Sequence, residues 1–205
     1  MKKFIWIAIA VLVAGAIFPF ELAGHERRLA QSVIGEFDTI AVGTADIRVV
    51  RHLLDKCGAA CSQSQQCNEQ LCEVTFKFEN SPLWELRLAP FTHLGGSITL
   101  RNNVVDYEAL VYRVGCGRLQ LSSGISIEQF PASPAELPFQ VSVDPVEGKP
   151  PTVFVRMTSA VSPRQKASVF ALNFSCLSRI GGCSGVSELA PTLETRKPLV
   201  CQDKG

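Results

Sequence analysis

The residues best suited to chemistry in this chain are eight cysteines, three histidines and one close pair of carboxylates. The cysteines are Cys57, Cys61, Cys67, Cys72, Cys116, Cys176, Cys183 and Cys201. The first four are spaced C-x3-C-x5-C-x4-C. Four thiolates could hold zinc, but this spacing lacks the paired C-x2-C knuckles of structural zinc sites. A thioredoxin-like redox pair and a haem attachment both need C-x-x-C, which does not occur here. An even number of cysteines in an exported chain reads instead as disulfides. The sequence does not choose among the many connectivities open to eight cysteines; one candidate pair is Cys176 with Cys183, a short loop contributing about 2.5 kcal/mol in the chain-entropy model. Another is Cys116 with Cys201, a far longer loop contributing about 4.6 kcal/mol in the same model. Cys183, between Gly182 and Ser184, could be drawn as a nucleophile, but pairing is the expectation.

His25, His52 and His93 form no H-x-x-x-H or H-E-x-x-H metal motif. His93 sits in Thr92-His93-Leu94-Gly95-Gly96, which reads as a turn between strands. There it could serve as the base of a dispersed hydrolase site. Asp106 and Glu108, two residues apart, are placed on one strand face and could supply the acids. The bland reading is a solvated face with a partner such as Arg101. There is no G-x-S-x-G elbow and no phosphate-binding glycine loop. No motif calls for a cofactor. Asn173-Phe174-Ser175 satisfies N-x-S, a pattern short enough to arise by chance.

Charge excludes one further class. Twenty Lys and Arg oppose nineteen Asp and Glu, for a net charge of +1. Nucleic-acid binding needs a concentrated basic face, and Arg101, Arg113, Arg118 and Arg156 are scattered.

The elements that would position these residues divide into two kinds. Ile47, Val50, Leu53, Leu54 and Cys57 recur at spacings of three and four, predicting an amphipathic helix over 45–57. Thr44 is the expected N-cap and Gly58 the expected C-terminal cap. From Glu73 the period becomes two: Val74, Phe76 and Phe78; Trp84, Leu86 and Leu88; Ile98 and Leu100; then Val104 to Val114. Asn102-Asn103 reads as a hairpin turn. Both faces of 104–114 turn apolar after Glu108, as for a central strand or one with a bulge. Further strands are read at Leu119–Leu121, Ile125–Ile127, Phe139–Val143, Val153–Met157 and Val169–Cys176. Without crossover helices between them, the runs predict antiparallel pairing. The expected fold is a mainly β, disulfide-containing antiparallel β-sandwich with one N-terminal amphipathic helix before the strands. Phe76, Phe78, Trp84, Phe139 and Phe174 would fill the space between its sheets.

Ahead of all this, Met1-Lys2-Lys3 introduces the apolar run Phe4 to Phe20. Charge followed by apolar helix is the pattern of a secretory signal or of a membrane anchor. Cleavage near Ala14-Gly15-Ala16 would release the chain. Retention would tether it, with a helix of about 26 Å against a hydrocarbon core of about 30 Å. The expected organisation is a signal or anchor over 1–23, a spacer over 24–43 and one domain over 44–205. Either outcome exports the domain, to the bacterial periplasm or cell envelope or to the outside. The expected function is a non-enzymatic binding or structural module. Its partners are an unknown protein or surface polymer, plus the membrane through Phe4–Phe20 if that run is uncleaved, and no nucleic acid. A small exported hydrolase and a cysteine-based metal or redox protein are the alternatives.

Overall fold

The computed structural model describes residues 2–64, 67–116, 121–144 and 151–193. The side chains of 2–5, 7–14, 16, 121 and 144 lie outside that description. The chain opens with one long helix, α1 (Lys2–Phe37), of 36 residues. The stretch 24–43, expected as a spacer, is mostly the second half of this helix. Ala23, Ala30, Val33, Ile34 and Phe37 are buried. Their spacings of seven, three, one and three place them on one helical stripe. The amphipathic helix follows as α2 (Ile47–Cys57), with Val50, Leu53 and Cys57 buried. Its N-cap is Asp46, whose carboxylate accepts from Arg48 N. Thr44 instead donates its hydroxyl to Ala41 O. Two helices therefore precede the sheet proper, not one. Lys56 Nζ donates to Glu36 Oε1 at 2.7 Å and links them.

Seven strands form a single sheet among the described residues. They are β1 (Cys61–Gln63), β2 (Leu71–Glu79), β3 (Thr92–Arg101), β4 (Val104–Cys116), β5 (Leu121–Phe130), β6 (Phe139–Asp144) and β7 (Thr152–Thr158). Their order is β1-β2-β3-β4-β5-β7-β6. Asn102 and Asn103 both take positive φ, 53° and 64°, and turn β3 into β4 as a tight hairpin. β5 and β7 are parallel, and every other pair is antiparallel. This corrects the all-antiparallel expectation. No helix is needed for the parallel pair, because β6 itself is the crossover. The chain leaves β5, runs along the edge as β6 and returns as β7 between them.

The two-sheet sandwich is also corrected. One face of the sheet packs on helices, as the buried residues show. Val74, Phe76, Phe78, Leu94, Ile98, Leu110, Tyr112, Ile125, Val153 and Val155 share one core with Val33, Phe37, Val50, Leu53 and Val169. Phe37 meets Phe76 edge-on at 5.4 Å between ring centroids. Phe76 and Phe78 thus face α1 and not a second sheet, while Trp84 is half exposed.

Two segments read as strands are helical. Trp84, Leu86 and Leu88 belong to α3 (Ser81–Glu85) and the turn after it, with Pro82 in the first helical turn and Leu83 buried. Val169–Cys176 spans the end of α4 (Pro163–Phe170) and a 3-10 turn (Phe174–Leu177). Ser162 caps α4: Gln165 N donates to its hydroxyl, and the hydroxyl in turn donates to Gln165 Oε1. A last short helix, α5 (Val186–Leu189), closes the described chain.

Three disulfides join Cys57 to Cys61, Cys67 to Cys72 and Cys176 to Cys183. Cys116 is also disulfide-bonded. Its expected partner, Cys201, lies outside the described residues, as does the strand start expected at Leu119.

Candidate functional site on the open face of the sheet

The face of the sheet opposite the helices carries His93, Gly95 and Ser97 on β3, Thr75, Lys77 and Glu79 on β2, and Ala109 and Val111 on β4. The strand period of two sends these residues away from the core, with the register Lys77↔Gly95↔Val111 running across the three strands. Small side chains make the floor low. The result is a shallow depression of about 390 Å³ lined by Ser62, Thr75, Lys77, His93, Ser97 and Val111 around Gly95. A Cβ on Gly95 would come within 2.8 Å of His93 Nε2, so the imidazole would have to turn aside to admit one. On the other face, a Cβ on Gly96 would come within 2.9 Å of Ala109 O and strike the Phe76 ring.

His93 is therefore a strand residue and not a turn residue. Its ring stacks on Phe91 at 6.5 Å between centroids, and its Nδ1 lies 3.3 Å from Glu79 Oε1. Lys77 Nζ reaches the same oxygen at 2.8 Å, and Ser81 donates to Glu79 Oε2 at 3.3 Å. Burial works against the charge on Glu79, but hydrogen bonds from Lys77 and His93 outweigh it and hold its pKa below the ordinary value. Glu79 is thus the hub of the cluster. A hydrolytic relay needs the imidazole between hydroxyl and acid. Here the carboxylate stands between Ser81 and His93, so the histidine has no hydroxyl to activate through this contact.

The acids expected to assist His93 lie elsewhere. In the β3–β4 pairing, Tyr107 faces Thr99 and Val105 faces Leu100, so Asp106 is the extra residue of a bulge. A bulge shifts the alternation by one residue. Asp106 and Glu108 consequently do not share a face. Asp106 is half exposed and 3.6 Å from Arg101. Glu108 opposes Ile98, five residues along β3 from His93, or roughly 17 Å at the strand rise. It also points to the core side, where it is 1% exposed.

Glu108 was singled out for its spacing; the structure makes it notable for its burial. It sits directly opposite Gln129 of β5, which is also buried. Neither Glu108 oxygen has a hydrogen-bond partner among the described residues, nor has Gln129 Oε1. Lys166 Nζ of α4 is 3.9 Å from Glu108 Oε1 and donates to Ile40 O at 3.0 Å. Burial pushes the Glu108 pKa up to about 8; Lys166 pulls it down and Asp38 pushes it further up. The carboxyl therefore keeps its proton at neutral pH, and a protonated carboxyl carries a donor suited to the facing amide oxygen. Without access to solvent, it is a structural group and not an exposed acid.

No protein-family model, curated protein or solved structure is similar to this chain.

The remaining sequence candidates are dispersed. His25 and His52 are exposed on α1 and α2. Asn173 does not project from a strand; its side chain accepts from Ser175 N and Ser175 Oγ and so caps the 3-10 turn. Cys183 is buried and paired, not a nucleophile. Because the sulfurs of Cys57, Cys61, Cys67 and Cys72 are joined in pairs, they are not thiolate ligands. At the far end of the open face, Tyr107 and Phe130 pack at 5.1 Å, and Arg156 lies over Phe130 and 3.4 Å from Glu128. Nothing in the local sequence marks this group; only the pairing of β4, β5 and β7 assembles it.

Proposed function

We propose that the protein is a non-enzymatic module of the cell envelope, held at a membrane by the first half of α1. On this reading it presents the open face of its sheet to a protein or surface polymer. The observation that carries the reading is the division of α1. Its C-terminal half is built into the core through Ala30, Val33, Ile34 and Phe37. The half toward the N-terminus exposes Trp6, Ile17 and Phe18, all more than half accessible. One continuous helix is thus anchored in the domain at one end and, at its described positions toward the other, leaves Trp6, Ile17 and Phe18 uncovered. Apolar side chains exposed together point to a membrane or a partner.

Among the described residues no helix is long and apolar enough to cross a membrane. The side chains of 2–5, 7–14 and 16, on which the expectation of a membrane segment rests, lie outside that description. The disulfides are compatible with export, because they persist in oxidising compartments. Polar Lys77, His93, Ser97 and Thr75 around a low floor suit recognition by hydrogen bonding.

Mature protein recovered from the membrane fraction tests the tether. An intact Met1-Lys2-Lys3 terminus supports it. A terminus near Ile17 in the soluble fraction overturns it and leaves a released domain.

A further inference from the structure

The end of the domain from which α1 emerges carries its own apolar rim. Among the α1 residues whose side chains are described, Ala23 is the buried one nearest the N-terminus, and it packs on Leu83 and Ala89. α3 and the turn after it are therefore the part of the domain closest to the apolar run. Ala23 is three positions beyond Phe20, about 4.5 Å along a helix. Around this point Phe18 and Leu22 on α1, Trp84 and Leu86 at α3, and Ile180 are all exposed, Ile180 to 62%. Ile180 belongs to the same rim because Gly181 N donates to Leu88 O at 2.8 Å, tying its loop to the turn. Arg87 is exposed beside Leu86 and takes a positive φ of 57°, a conformation uncommon for a residue with a side chain.

We infer that this rim is a seat for the lipid surface: Trp84, Leu86 and Ile180 enter the boundary between headgroups and acyl chains, with Arg87 placed for a lipid phosphate. The inference rests on the tether proposed above and adds a second contact to it. Three physical points select lipid as the occupant. The rim lies about one helical turn from the end of the apolar run, so a membrane holding that run meets the rim. The run measures about 26 Å against a hydrocarbon core of about 30 Å, and a short span thins the bilayer and so draws its surface toward the residues that flank it. A tryptophan with an apolar body and a polar N–H, beside an arginine, matches the chemistry of that boundary.

The chain has two tryptophans, Trp6 and Trp84, one for each contact. Full-length protein is reconstituted in vesicles of phosphatidylethanolamine and phosphatidylglycerol. Bromine is carried on the acyl chains either near the headgroup or near the methyl end. Trp6→Phe leaves Trp84 as the reporter, and Trp84→Phe leaves Trp6. The expected result is loss of Trp84 emission to the shallow bromines, with little loss to the deep ones and little to aqueous iodide. Leu86→Glu, at an exposed position, is expected to restore iodide quenching of Trp84 without changing Trp6. If Trp84 is quenched by iodide and by neither bromine, the seat is overturned while a lipid-quenched Trp6 keeps the tether. If Trp84 is shielded from iodide and from lipid alike, a protein covers the rim and the lipid seat is overturned. If Trp6 meets no lipid while Trp84 does, the tether fails and the seat stands by itself.

Discussion

The two faces of one sheet are built from adjacent residues and have opposite physical characters. On β4, Leu110 and Tyr112 face the helices and are at most 1% exposed, whereas Ala109 and Val111, alternating with them, face outward and line a depression. The inner face is closed by α1, α2 and α4 and tolerates one polar pair, Glu108 and Gln129. The outer face is floored by Gly95, Ser97 and Ala109 and gathers its charge around Glu79. Alternation alone separates them. The difference shows why a second sheet is not needed. The helices already bury the large residues of β2, β3 and β4, and around Gly95 the outward residues are small and polar.

That contrast can be broken at several points. The largest effect is expected at Glu108. Folded, its carboxyl holds a proton up to about pH 8; unfolded, it releases it near the ordinary value of 4.5. The native state binds more protons across that window, so this group's stability is fully present below about pH 4.5 and lost as pH rises through about 8. The loss is up to about 5 kcal/mol in the fully charged state. Glu108→Gln should flatten that part of the profile and be the more stable protein above pH 8, as read by urea denaturation at several pH values. A wild-type profile unchanged by the substitution would place Glu108 in contact with water.

Next is the disulfide between Cys176 and Cys183, beneath the inner face. Replacing both by alanine should cost about 2.5 kcal/mol in the chain-entropy model. A change under about 0.5 kcal/mol would show that this segment is ordered without its crosslink. Smaller again is a test of neighbouring glycine and serine on opposite faces. Gly96→Ala drives a methyl into the Phe76 ring and should cost about 1–3 kcal/mol. Ser97→Ala, facing out, should stay within about 0.5 kcal/mol. The smallest effect is expected for His93→Ala, within about 0.5 kcal/mol for stability, because its contact with Glu79 is partly solvated.

Alternation read strands correctly at Val74–Phe78, Ile98–Leu100, Phe139–Val143 and Val153–Met157. Trp84, Leu86 and Leu88 alternate over as many positions as Val74–Phe78, so length did not separate them. The mark was Ser81-Pro82, which opens a helical turn, and the residue it buries is Leu83, out of step with the alternation. At α4 a usable mark was present: Ser162-Pro163-Arg164-Gln165 is a capping box with proline at the first helical position, which a turn reading passes over. The second half of α1 could be read from Ala30, Val33, Ile34 and Phe37, but the charged Glu26, Arg27 and Arg28 ahead of them suggested a spacer. The parallel pair and the grouping of Glu79 with His93 depend on how segments pair, and single-chain periodicity carries no such information. A bulge in 104–114 was one of two readings of its apolar faces, but only the register with β3 places it at Asp106. The bulge explains why Asp106 and Glu108, two apart in sequence, part company in space.

The central claim is that one face of the sheet is core and the other is free. Matched aspartate substitutions on adjacent residues of β4, Leu110→Asp and Val111→Asp, test it in one denaturation experiment. The account predicts that Leu110→Asp fails to fold cooperatively, because it buries an unpaired charge. Val111→Asp should unfold within about 1 kcal/mol of wild type. Equal and severe destabilisation by both would contradict the account, since it would mean that a second layer covers the outer face.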